Sequence, residues 1–165
     1  MTLARVDERL RSPLPGVPDV EWSLFVLLMK GERMDGISPA HHLGLFNVSY
    51  LRLRDLGLAR NVRQTEIGGR RVWSGTFLPP LTRDQFLGSP ALQYQVFCRD
   101  MADRFALVGS HVGADIDGTK ATASGLLAAA KLAGRRGFQT WVSKADERRR
   151  FATTTEAFHV ANGIF

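Results

Sequence analysis

Several residues have the side-chain types of catalytic or metal sites, but their spacing argues against such sites. His41 and His42 carry imidazoles, yet adjacent side chains point in different directions, and no spaced set of Cys, Asp, Glu or His accompanies them. Ser110 and His111 with Asp115 have the residue types of a hydrolytic triad. They lack the strand-turn-helix elbow that presents a nucleophilic serine. These patterns favour neither a metal site nor a triad hydrolase, and we expect no cofactor.

The length and composition predict a globular chain with one hydrophobic core. The protein has 165 residues, of which 44% are hydrophobic and 23% charged, and both values are ordinary for a folded domain. We predict a single domain over residues 19–165, preceded by an N-terminal helix and a Pro-rich lead-in over residues 1–18. Cys98 is the only cysteine, so no disulfide can form within the chain.

The segment from Thr122 to Gly134 has the strongest helical pattern. Thr122 is a preferred N-cap residue, and Gly134 stands where a helix often closes with a left-handed residue. The apolar residues of one face follow helical spacing: Leu126, Leu127, Ala130 and Ala133. Small residues around them leave room for another backbone to approach closely.

The rest of the chain predicts further helices and one β-hairpin. Strands over 60–67 and 70–77 flank Gly68-Gly69, a dipeptide typical of tight hairpin turns. Helices are predicted over 3–11, 20–30 and 49–56, in a short segment capped by Thr82 with Gln85, from Ser89-Pro90 onward, and over 154–162 after a Thr153–Glu156 capping box. The sequence therefore predicts a mainly helical α+β fold with one small β-hairpin.

Three blocks, in the same order along the chain, resemble a known family. They read Leu43-Gly-Leu-Phe-Asn47, Phe86-Leu-Gly-Ser-Pro-Ala-Leu-Gln93, and Thr122-Ala-Ser-Gly-Leu-Leu-Ala-Ala-Ala-Lys-Leu-Ala-Gly134. Together these blocks resemble the lysozyme-like domains of bacteriophage and prophage proteins that act on peptidoglycan. The resemblance covers roughly residues 25–160 and implies a lysozyme-like fold. In that fold the glycan cleft lies between the hairpin side and the helical side.

The resemblance implies that a Glu before the first block is the general acid that protonates the glycosidic oxygen. Glu32 is the nearest candidate here, and Asp35 could position water, although a turn-forming role beside Gly36 also explains Asp35. Glu21 flanks Trp22, but it begins a predicted helix, where the macrodipole would lower its pKa.

The chain departs from the family pattern at the site itself. The Glu-Ser-Gly-Gly usual for the family is absent, and Lys30 or its neighbours stand where the acid is expected. In the turn, Asn47 replaces a Gln and Phe46 lacks the hydroxyl of the commoner Tyr. These departures from the family pattern argue against catalytic activity.

Aromatic and turn residues are the candidate substrate-binding groups. Trp73 on the second strand and Trp141 after the small-residue helix could offer flat faces to sugar rings, although the residue pattern favours a core-anchoring role for each. By the resemblance, Phe46 and Asn47 would contact the glycan from the turn.

The formal net charge of +6 predicts an anionic partner or surface without choosing among nucleic acid, lipid and bacterial wall. The chain shows no helix-turn-helix, zinc spacing or aromatic-basic stacking pattern, so nucleic acid is not favoured. The apolar run Leu24–Met29 is too short to span a membrane. The first residues lack a signal-peptide pattern, so we expect synthesis in the cytoplasm and delivery to the wall by a holin or a phage-like particle.

Two hypotheses follow. The chain is a peptidoglycan glycosidase, hydrolytic or lytic, with Glu32 as its acid. Alternatively, it is a catalytically silent lysozyme-like module that binds the wall or builds a phage tail or phage-derived particle, in contact with other particle proteins. The substitutions around Lys30 and at Asn47 favour the second hypothesis.

Overall fold

The computed structural model of the protein describes residues 14–30, 36–39 and 41–163. The predicted helix over 3–11, the end of a helix at Gly31, and the candidate residues Glu32 and Asp35 lie outside the described residues. Within them the fold is mainly helical α+β, as the sequence predicted. The described chain divides into two compact units, one combining Met1–Met29 with Met101–Phe165 and the other spanning Lys30–Asp100. The prediction of a single domain over residues 19–165 stays a prediction.

The Lys30–Asp100 unit contains the β-hairpin and short helices. The helix α1 (Asp19–Met29) precedes this unit in the chain. The elements of the unit are α2 (Tyr50–Asp55), β1 (Ala59–Ile67), β2 (Arg70–Phe77), α3 (Arg83–Leu87) and the first part of α4 (Pro90–Val108). The strands pair antiparallel around Gly68-Gly69, as predicted. The predicted capping box of Thr82 and Gln85 is also confirmed. In this unit the turn and capping residues therefore predict the hairpin and the start of α3 correctly.

The core of this unit is built from aromatic rings. Tyr50 of α2 contacts Phe77 of β2 at 5.8 Å between ring centroids, and Phe77 contacts Phe86 of α3 at 5.4 Å. An ion pair between Arg52 and Asp100 also connects α2 to α4, with Nε and Oδ1 2.5 Å apart. Asp100 is 3% exposed, and the Arg52 guanidinium helps to compensate its charge.

The other unit is helical. It contains α1 (Asp19–Met29), the end of α4, α5 (Ala123–Ser143) and α6 (Ala152–Ala161), with α1 and α5 both contacting α6. The stripe predicted for α1 is buried as expected: Trp22, Phe25, Val26 and Met29. Small residues at the start of α5 are also fully buried, which lets α6 approach this helix closely.

Asn162 fastens the start of α5. Thr122 caps the helix as predicted, with its Oγ1 accepting from the Gly125 N–H at 3.1 Å. The Asn162 Oδ1 accepts from the Thr122 N–H at 3.0 Å, and the Asn162 Nδ2 donates to the Lys120 carbonyl at 3.1 Å. A Cβ atom at Gly125 would overlap the Asn162 side chain. The third block of the resemblance therefore begins at a tightly fitted contact.

Two predictions about this unit need correction. Gly134 has a positive φ as expected, but the chain turns there and resumes as helix to Ser143. The predicted capping box of Thr153 and Glu156 is wrong, because α6 starts at Ala152 directly after a 3₁₀ segment, Ala145–Phe151, and has no side-chain cap.

A second, very short hairpin was not predicted. Strands β3 (Asp115–Ile116) and β4 (Thr119–Lys120) pair antiparallel. Asp117 and Gly118 between them both have positive φ, as in a two-residue hairpin turn. The Asp-Gly dipeptide is the sequence signal that could have found this hairpin.

Candidate functional site

Gln93 connects two of the three blocks that carry the family resemblance. Its side chain is 1% exposed. The Oε1 atom accepts from the Leu45 N–H at 2.7 Å, and the Nε2 atom donates to the carbonyls of Phe86 at 3.1 Å and Leu87 at 3.0 Å. Gly44 has a φ of 68°, and a Cβ atom there would overlap the Gln93 carboxamide. We call this contact of Gly44, Leu45, Phe86, Leu87 and Gln93 the Gln93 joint.

In the turn next to the Gln93 joint, Phe46 is buried and Asn47 is exposed. The Phe46 ring is 2% exposed and stacks on Phe97 with centroids 4.3 Å apart. The structure thus places Phe46 in the core rather than on a binding surface. Asn47 is exposed and has a φ of 49°, a conformation that Asn adopts more readily than other side-chain-bearing residues. Asn47 is therefore accessible to a ligand, and the backbone of the turn also explains its residue type.

Trp73 lies on the β1–β2 hairpin and is partly exposed. Its cross-strand partner is Gln64, so an indole edge and an amide share one face of the hairpin. An accessible aromatic ring with a neighbouring hydrogen-bonding amide suits sugar recognition. Of the two candidate tryptophans, Trp73 is the one with solvent access.

Trp141 is fully buried. Its Nε1 donates to the Thr155 hydroxyl at 2.9 Å, and its ring packs against Phe158 with centroids 5.1 Å apart. The structure therefore assigns Trp141 to the core, the alternative that the sequence left open. Arg148 lies 5.9 Å from the centre of the same ring and forms an ion pair with Asp117. This arginine is held in the fold rather than presented on the surface.

A β-bulge shapes the open end of the hairpin. The pairing shifts by one residue between Arg60 and Arg63, and Asn61 within the bulge has a φ of 52°. A depression of about 570 Å³ lies here, lined by the bulge residues Asn61–Arg63 and by Ser74–Thr76 of the facing strand. Bulges commonly redirect side chains beside binding sites.

A second depression, of about 460 Å³, adjoins the first through Gly75 and Thr76. It is lined further by Tyr50, by the Pro79-Pro80 segment and by Arg83. Burial raises the pKa of the Tyr50 phenol, and the nearby Arg83 guanidinium opposes this rise. The phenol is therefore a neutral hydrogen-bond donor at physiological pH.

The environment of the Glu21 carboxyl differs from the one that the sequence predicted. The sequence predicted a lowered pKa from the helix macrodipole, and this prediction is wrong because burial raises the pKa of the Glu21 carboxyl. Desolvation disfavours the charged form of a carboxyl and so raises its pKa. A raised pKa is a property that a glycosidase acid needs, so Glu21 belongs beside Glu32 in any test of catalysis.

The remaining polar candidates have structural roles. The Asp115 carboxylate accepts from the Gly118 N–H at 2.8 Å within the short hairpin. His111 packs against Phe138 with ring centroids 5.9 Å apart. Across residues 14–30, 36–39 and 41–163, no cluster of three His, Cys, Asp or Glu side chains is arranged to hold a metal ion. In the same residues, no helix combines the length and apolar character needed to cross a bilayer.

Comparison of the chain with protein-family models, curated proteins and solved structures finds no match. The residues themselves are therefore the basis for assigning a function.

Sequence reasoning noted Gln93 as part of a block but gave it no role. Its spacing carried the signal, since Gln93, Val96 and Phe97 fall on one face of a helix and the last two are buried. A glutamine on a core-facing stripe must find hydrogen-bond partners. Which backbone groups supply them depends on tertiary structure.

Proposed function

We propose that the protein is a peptidoglycan-directed, lysozyme-like module of phage or phage-derived origin. The observation that supports this proposal is the Gln93 joint. Its contacts use the residues that define two blocks of the resemblance: Gly44, whose missing side chain makes room, and Gln93, whose carboxamide fills that room. Residues that match a family pattern and also depend on one another physically are stronger support than either block alone.

In the catalytic form of this proposal, Glu32 protonates the glycosidic oxygen of the glycan strand. A general acid of this kind acts from a partly apolar setting that keeps it protonated near neutral pH. Trp73 would hold a sugar ring and Asn47 would hydrogen-bond to the glycan from the exposed turn. Asp35 would position the attacking water.

The silent form of the proposal retains the scaffold as a wall-binding or structural subunit of a phage tail or related particle. Two observations favour it. Phe46 occupies a core position in the turn and offers no hydroxyl, and Trp141 is withdrawn from any ligand. Two of the four candidate substrate-binding residues are thus used for packing. We place the silent form first.

Release of muropeptides from purified peptidoglycan separates the two forms. The native chain is compared with Glu32→Gln, which keeps the shape of the side chain and removes its proton, and with Glu21→Gln as a matched variant. Release that disappears in Glu32→Gln alone supports a glycosidase with Glu32 as acid. Loss in Glu21→Gln alone transfers that role to Glu21.

Co-sedimentation of the chain with the same peptidoglycan completes the test. Sedimentation without muropeptide release supports the silent wall-binding form. Neither sedimentation nor release at low salt would contradict the proposal that the chain is directed at peptidoglycan.

A further inference from the structure

The register of the β1–β2 hairpin gathers three arginines on one face. Directly paired residues share a face of the sheet, and Arg60 pairs with Thr76, Arg63 with Ser74, and Ile67 with Arg70. Successive pairs on that face are two residues apart along β2. Arg60, Arg63 and Arg70 therefore point to the same side, and all three are exposed. We call these three residues the basic face.

Acidic residues are absent from this side of the hairpin. The one carboxylate in β1 and β2 belongs to Glu66, which pairs with Arg71 on the opposite face. Among the residues that the structure describes, no carboxylate forms an ion pair with an arginine of the basic face. In contrast, other arginines of the same unit, such as Arg52 and Arg54, are paired with aspartates. The basic face therefore has uncompensated positive charge.

Hydroxyl groups and the bulge complete the surface. Ser74 and Thr76 stand across from the two arginines that flank the bulge, and both line the depression of about 570 Å³. Guanidinium groups bind carboxylates through paired hydrogen bonds, and hydroxyls can add single ones. Val72 also lies on this side but is 3% exposed. The accessible groups of the face are therefore polar, apart from the exposed side chain of Ile67 beside the turn.

The dimensions suit an extended ligand rather than a single small anion. From Thr76 to Arg70 the strand advances by about 20 Å, at roughly 3.4 Å per residue. The partly exposed Trp73 lies on the opposite face, so the basic face has no aromatic platform on which nucleic-acid bases could stack. Its chemistry matches a polymer that carries repeated carboxylates without flat bases.

We propose that the basic face binds the carboxylates of the peptide stems of peptidoglycan and so holds the protein on the wall. This proposal rests on the proposed function and names the chemical group that the wall contributes. Contacts to carboxylates along the hairpin would hold the protein on the polymer in both the catalytic and the silent form.

The test compares two variants of equal charge. Arg60→Gln/Arg63→Gln removes two positive charges from the basic face, whereas Arg136→Gln/Arg149→Gln removes two exposed charges elsewhere in the chain. The apparent Kd for peptidoglycan stripped of other wall polymers is measured by co-sedimentation. For the first variant we expect it to rise about tenfold, as the loss of two exposed arginine-carboxylate pairs implies. The second variant should change binding by less than about threefold. Equal urea midpoints confirm that both variants are folded.

Two further arms identify the ligand. Amidation of the peptidoglycan carboxyl groups should abolish sedimentation of the native chain if carboxylates are the ligands. Equal binding to amidated peptidoglycan, or tighter binding to random duplex DNA than to peptidoglycan, overturns the proposal. Equal losses in the two arginine variants also overturn it, while leaving the proposed function intact. If the native chain fails to sediment at all, the proposed function fails together with this inference.

Discussion

Replacement of Gln93 by methionine tests the structural argument behind the Gln93 joint. Methionine is similar in length and fills the same space, but it cannot donate a hydrogen bond and accepts one only weakly. The Leu45 N–H and the Leu87 carbonyl would each lose the partner that Gln93 provides. The Phe86 carbonyl still accepts from the Ser89 N–H at 3.3 Å, so we count two stranded backbone groups.

The expected cost follows from those two groups. Leaving a buried donor or acceptor without a partner costs about 1–3 kcal/mol each, so Gln93→Met should lower the free energy of unfolding by about 3 kcal/mol. For a chain of this size, such a loss corresponds to about 6–12 °C in Tm. Urea denaturation followed by circular dichroism measures the free energy, and a thermal scan measures Tm.

Gln139→Met is the matched control, because Gln139 is exposed on α5. A surface change of this kind should alter stability by less than about 0.5 kcal/mol. If Gln93→Met costs no more than the control, the joint contributes nothing to the fold, and the observation that supports the proposed function is lost.

Three more changes have defined outcomes. Gly125→Ala should destabilise the protein by about 2 kcal/mol in urea denaturation, because the new methyl group displaces the hydrogen-bonded Asn162 side chain; an unchanged midpoint would show that this contact is loose. Asp100→Asn should cost about 2–3 kcal/mol by the same assay, since it leaves the half-buried Arg52 without its carboxylate, and its effect should persist in 1 M salt. Glu21→Gln should stabilise the protein at pH 7 but not at pH 3. Folding raises the pKa of the native Glu21 carboxyl, so the stability of the native protein falls as the pH rises through the unfolded-state pKa. The Gln variant lacks this carboxyl and avoids that loss. Stabilisation of equal size at both pH values would contradict the burial of this carboxyl.

Local signals in the sequence predicted most of the secondary structure. The caps at Thr82 and Thr122 and the turn at Gly68-Gly69 depend on neighbouring residues alone, and the structure has all three. Thr153 shows where local reasoning fails. Its capping signal is correct in type, but the preceding 3₁₀ segment already leads into the helix and leaves no free helix start at that position.

The candidate site was less predictable because it depends on contacts distant in sequence. Phe46 and Trp141 have the residue type of a sugar platform, and only packing against Phe97 or Phe158 shows that they are core residues. Gln93 finds a hydrogen-bond partner 48 residues away. The bulge between Arg60 and Arg63 decides the face on which each arginine lies. Its signal in residue type is Asn61, which tolerates the positive φ it has there, but that signal alone does not say how the two strands pair around it.

The change of direction in α5 depends on one backbone conformation. Gly134 has φ 68° and ψ 176°, a combination that residues with side chains hardly adopt. A Cβ atom at this position would meet no other atom within 4 Å, so conformation, not space, reserves the position for glycine. An alanine there would favour an unbroken helix, and an unbroken helix would rotate the buried Phe138 and Trp141 away from their present neighbours. The backbone conformation at position 134 thus sets the direction of the second half of α5 and so the packing of Phe138 and Trp141. A side chain added there would contact no other residue and would still change the packing of Trp141.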